Sequence, residues 1–144
     1  MQRSLVGSEM CIRDSKRVNE MKKTGKNPLY KSFGYAFEGI FAGIRGERNM
    51  KIHCFAAVCV IVAGVLFHIS VTEWCICLVL FGLILSLELV NTAIEAVVDL
   101  VTEDKKPLAK LAKDTAAGAV LIAAVMAAMA GLLIFVPKLV SFLK

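Results

Sequence analysis

Four polar side chains recur along Leu87–Asp99: Glu88, Asn91, Glu95 and Asp99. Their spacing is i, i+3, i+7 and i+11, which at about 100° per residue places all four within roughly 80° of a helix. They form one polar stripe. The preceding residues, Trp74 to Leu87, carry no charge and no proline, and so read as a membrane-spanning helix. A carboxylate inside a membrane costs about 2.5–3.5 kcal/mol even on the lenient insertion scale. A row of them points to function in preference to simple helix glue.

Depth sorts the stripe. With Trp74 at one interface, Glu88 lies about 21 Å along the axis, still inside a hydrocarbon core of about 30 Å. Glu95 and Asp99 emerge at the far boundary. One acid is placed to meet a lipid head, and the others to meet a water-soluble ligand.

The elements that must position these groups are few. The chain has 144 residues, 58% of them hydrophobic, with a mean hydropathy of +0.71. It reads as an all-α integral membrane protein with no room for a separate soluble domain. Asn27-Pro28 opens a helix, and Leu29, Phe33, Phe37, Ile40, Phe41 and Ile44 then recur at helical spacing. This helix is too polar to span and is predicted to lie along the membrane surface. Gly46–Asn49 turns the chain into the bilayer. Lys51 to Ile69 is the first span, with His53 and His68 as interfacial residues near its ends. Ser70 to Glu73 is a short turn, Trp74 to about Val101 the second span, and Thr102 to Lys113 a polar loop. Asp114 to Val136 is the third span, with a small-residue seam (Ala119, Ala123, Ala127, Gly131), and Pro137 ends it. Three transmembrane helices and an N-terminal amphipathic surface helix cannot shield a polar stripe alone, which predicts an oligomer. The domain is 27–144. Residues 1–26 are a leader and basic tail, of which 1–15 fit nothing that follows and resemble a translated vector sequence.

Charge sets orientation. Of 17 basic residues, 11 lie up to Lys51 at the start of the first span, four in the Thr102–Lys113 loop and none in the Ser70–Glu73 turn. The positive-inside rule places the N-terminus and that loop in the cytoplasm, with no role in binding nucleic acid. The cysteines, without a C-x-x-C pair, read as small buried hydrophobes. Glu47, Glu95, Asp99, Lys113 and Asp114 then converge on the cytoplasmic face.

Carboxylates with a Lys-Asp pair beside a membrane-embedded Glu suit phosphoryl transfer to a lipid. Mg²⁺ takes carboxylate and phosphate oxygens, a lysine offsets developing charge, and a base must accept the proton of the lipid hydroxyl. Neither a P-loop nor a kinase Gly-rich loop is present. A proton-coupled transporter would also use an intramembrane Glu, and the residues alone leave both classes open.

The segments GYAFEGI (34–40), ERNMKIH (47–53), ELVNTAIEAVVD (88–99) and AKDTAAGAVL (112–121) resemble the prokaryotic diacylglycerol kinase family, in the manner of its Gram-positive undecaprenol kinase branch. The resemblance covers about 27–144. It implies a homotrimeric lipid kinase of the bacterial inner membrane using ATP and Mg²⁺, with active sites at subunit boundaries. By it, Glu88 matches the catalytic base, Glu47 and Glu95 the metal-bridging carboxylates, and Asn91 a residue close to the acceptor hydroxyl. Asp99, Lys113 and Asp114 match the nucleotide side, with Tyr35 near the nucleotide. Asp104, Lys105 and Lys106 border ATP through their backbone, since the side chains there differ from the relatives'. The enterobacterial branch has an arginine at the start of the surface helix where this chain has Pro28, a departure that favours undecaprenol over diacylglycerol.

Overall fold

The computed structural model of the chain describes residues 29–102 and 104–143. The leader, the basic tail and the Asn27-Pro28 helix start lie outside them. Four helices follow in order, with no strand among the described residues: α1 (Leu29–Gly46), α2 (Arg48–Leu66), α3 (Val71–Val101) and α4 (Pro107–Phe142). The chain divides into two compact units, ending at Gly39 and beginning at Ile40. In the first, Leu29, Phe33 and Phe37 of α1 succeed one another at i, i+4 and i+8 and stand exposed. An apolar stripe left open on one face is the pattern of an interfacial helix.

In the second unit α3 packs chiefly against α4 and less extensively against α2. All three helices are long and apolar enough to cross a membrane, as expected of a multi-pass membrane protein. The chain buries only 11%, 17% and 17% of their most apolar windows, so most of each span is left for lipid or for further copies to cover.

The helix ends depart from the expected boundaries, each for a local reason. The α2–α3 reversal lies at Phe67–Ser70, three residues earlier than the expected Ser70–Glu73 turn. His68 takes φ 48°, a left-handed conformation that histidine adopts more readily than most residues. Its N–H donates to Val65 O, and that of Ile69 to Gly64 O, which closes the end of α2 as a Schellman motif. Ser70 then caps α3 reciprocally with Glu73: Ser70 N–H donates to Glu73 Oε2 at 2.6 Å, and Glu73 N–H to Ser70 Oγ at 3.3 Å. Glu73 is therefore helical.

The polar loop is shorter than expected. Pro107 opens α4 at its first position, where its missing N–H costs nothing, so Lys110 and Lys113 are helical. Pro137 does not end α4, which continues to Phe142. Lys138 Nζ reaches Glu73 Oε2 at 3.2 Å, and Phe142 meets the edge of Phe67, centroids 5.9 Å apart. These contacts hold the last turns of α4 against the α2–α3 reversal and the start of α3. The core beside them joins Ile69, Cys77 and Ile134 with Trp74 and Phe81.

Candidate functional site

The deep half of the α3 polar stripe is turned into the chain, Glu95 is half-buried, and Asp99 stands exposed. Glu88 is 1% exposed and Asn91 5%, the two buried polar residues among those described. Asn91 Nδ2 donates to Glu95 Oε1 at 2.8 Å. Glu88 Oε1 and Asn91 Oδ1 are buried without any hydrogen-bond partner. An acceptor left in that condition costs about 1–3 kcal/mol, so each is free to accept a hydrogen from a water or a ligand.

Both line a cavity of about 210 Å³ together with Glu95, Asn49 and His53 of α2, and an apolar wall from α4. Asn49 and His53 are one helical turn apart, so α2 presents both to α3. Neither was among the expected site residues. Their i, i+4 spacing is visible in the sequence, but a histidine one turn inside an apolar helix looks the same whether it faces lipid or a partner helix.

A second cleft, of about 630 Å³, gathers Asp99, Asp104, Lys105, Lys106, Lys113 and Asp114 at the joint of α3 and α4. Lys113 Nζ meets Asp99 Oδ1 at 2.5 Å, and Lys110 Nζ meets Asp114 Oδ2 at 2.5 Å. The loop between them is shaped by Asp104 N–H donating to Thr102 Oγ1 at 3.2 Å. Four lysines and three aspartates line this cleft, and Lys110 and Lys113 are paired there with Asp114 and Asp99.

Glu47 is the single residue between α1 and α2. It takes the N-cap backbone of α2 (φ −93°, ψ 128°), but its carboxylate makes no capping bond. Glu47 and Glu95 both lie within electrostatic reach of Glu88. No cluster of three or more His, Cys, Asp or Glu side chains able to hold a metal occurs among the described residues. Two hard carboxylates suit Mg²⁺, which keeps water and phosphate oxygens for its other positions. Tyr35 lies on α1 in the first unit, 58% exposed.

The arrangement places a buried acid with a free oxygen at membrane depth and an exposed cationic cleft farther along the same helix. Residues 34–135 match the family model described as prokaryotic diacylglycerol kinase. The chain belongs to this family. It is 51% identical over 113 residues to a protein of Bacillus subtilis (strain 168) named undecaprenol kinase, covering 78% of this chain and 92% of that one. It is 42% identical to a diacylglycerol kinase of Synechocystis sp., covering 80% and 66% respectively. It is 34% identical to a diacylglycerol kinase of Pseudomonas aeruginosa, covering 70% and 82%. Family membership sets the transporter alternative aside.

Proposed function

We propose that this chain is an ATP-dependent lipid kinase that phosphorylates the hydroxyl of a membrane alcohol, undecaprenol in preference to diacylglycerol. The observation that carries this is Glu88 Oε1, buried and unpartnered in a small cavity on a helix that leads to the lysine-rich cleft. The alcohol donates its proton to Glu88, its oxygen bonds to the γ-phosphorus, and the bond from that phosphorus to the bridging oxygen breaks to release ADP. Asn91 borders the acceptor. Asp99, Lys113, Asp114 and the 104–106 loop hold the nucleotide, with Tyr35 beside it. Glu47 and Glu95 would hold Mg²⁺, which when bound would neutralise phosphate charge.

Undecaprenol is favoured for two reasons. Of the three relatives above, the one named for it has the highest identity. A polyprenol also has no ester carbonyls to leave unpaired against apolar walls. The low self-burial of the spans supports an oligomer, which the family resemblance makes a homotrimer of the bacterial inner membrane, and the distribution of Lys and Arg supports a cytoplasmic N-terminus. The test presents undecaprenol and diacylglycerol to the purified protein in one detergent. The expected kcat/KM ratio is at least about tenfold for undecaprenol, or about 1.4 kcal/mol. Equal or reversed preference would assign the chain to diacylglycerol, and no lipid-dependent ATP consumption would end the kinase reading.

A further inference from the structure

An alcohol held for transfer needs two partners: an acceptor for its proton and a donor for its oxygen. The cavity around Glu88 is well supplied with the first. Glu88 Oε1 and Asn91 Oδ1 are both unpartnered acceptors, and Asn91 already spends an N–H on Glu95. Asn91 keeps one further N–H, and α2 brings two more donor side chains to the same cavity, Asn49 and His53.

Position separates these two. Asn49 is exposed at the outer turn of α2, whereas His53 lies one turn deeper and is half-buried. His53 also lines an adjoining apolar groove of about 330 Å³ between α2, α3 and α4, a groove that shares Ala124 with the cavity. Beyond His53 the groove is walled by residues such as Ala57, Phe81 and Ala128, and His53 is the one strongly hydrogen-bonding side chain along it. The imidazole therefore stands where the polar cavity ends and the apolar groove begins.

We propose that His53 donates a ring N–H to the oxygen of the acceptor alcohol while Glu88 takes its proton, and that the alcohol's chain runs from that point into the groove. This rests on the lipid-kinase reading and adds to it a specificity-determining residue. His53 fixes the depth at which the hydroxyl stops. It also selects alcohols whose hydroxyl carbon leads directly into hydrocarbon, because a polar group one or two atoms farther on would meet the apolar lining.

Farnesol is a suitable probe: a single hydroxyl on a short isoprenoid chain. Its binding to the full-length protein in detergent is measured without nucleotide by native mass spectrometry, and ATP binding is measured separately. His53→Leu is expected to weaken farnesol binding by about tenfold or more with ATP binding unchanged. His53→Gln, which keeps a donor, is expected to recover most of that affinity. Unchanged farnesol affinity in His53→Leu overturns the proposal. So does equal loss in both variants, or a parallel loss of ATP binding, either of which makes His53 structural. Because binding is read without turnover, the kinase reading fails by a different result: wild-type protein that binds the alcohol yet leaves ATP intact.

Discussion

Asn91 and Glu95 are joined by one hydrogen bond, Nδ2 to Oε1 at 2.8 Å, a single turn apart on α3. The bond commits an amide N–H to the acid proposed for Mg²⁺, while Asn91 Oδ1 stays buried and unpartnered beside Glu88. Asn91 thus links the proposed lipid end of the stripe to its proposed nucleotide end. Replacing it with Leu removes both roles at once. The apparent KM for the alcohol and the Mg²⁺ concentration for half-maximal turnover are both expected to rise, each several-fold. A change in the alcohol KM alone would mean that the bond does nothing for the metal side.

Glu88→Gln keeps the shape of the side chain and removes the base. Turnover is expected to fall by about 10²–10⁴, as is typical when general-base catalysis is lost. ATP affinity, measured by equilibrium binding, should be retained, because the nucleotide-side residues line a separate cleft.

Glu47→Gln and Glu95→Gln each remove one charge from the proposed two-carboxylate Mg²⁺ site. Each variant is expected to need more Mg²⁺ for the same rate while keeping its oligomeric state on size exclusion. A variant with an unchanged Mg²⁺ titration loses its assignment as a ligand.

Asp99 and Lys113 form an ion pair whose side chains are 63% and 36% exposed, and a pair so open to water contributes about 0–1 kcal/mol to stability. Asp99→Asn should therefore hardly move the Tm in detergent but raise the ATP KM. A large fall in Tm with an unchanged ATP KM would make the pair a structural staple.

Gly64 tests the fold apart from the site. A Cβ there would lie 2.8 Å from the Trp74 ring and 3.0 Å from Ile69 Cδ1, and the flat ring cannot fold aside as a chain end can. Gly64→Ala is expected to destabilise the protein by about 1–3 kcal/mol, read from thermal unfolding in detergent, with activity per folded molecule unchanged.

Much of the site was legible because one physical constraint wrote it. Carboxylates tolerated within an apolar helix must share a face, so the period of Glu88, Asn91, Glu95 and Asp99 exposed both the helix and its inner side. The helix ends were less legible. Pro137 looks like a stop locally, and only Lys138 meeting Glu73 and Phe142 meeting Phe67, each pair more than 60 residues apart, show why α4 runs past it. Lys110 and Lys113 read as loop because they are polar, yet lysine is a good helix former once Pro107 has started the turn. His53 was hidden because hydropathy reports how apolar a helix is, not which way one polar residue on it points.

The unequal lengths of the spans carry a consequence for the lipid around them. α2, with 19 residues, is about 28 Å long and close to the thickness of a hydrocarbon core, whereas α3, with 31, is about 46 Å. Glu73 and Lys138 pin the start of α3 to the last turns of α4, so the surplus of both helices overhangs at the opposite end, where Asp99 and Lys113 pair. Hydrophobic mismatch then acts on the two halves of the reaction unequally. A thicker bilayer draws the overhang toward hydrocarbon and withdraws Glu95 and Asp99 from water, while Glu88 stays buried at any thickness. Acyl-chain length in the surrounding membrane is therefore expected to act on the proposed nucleotide side more than on the proposed alcohol side.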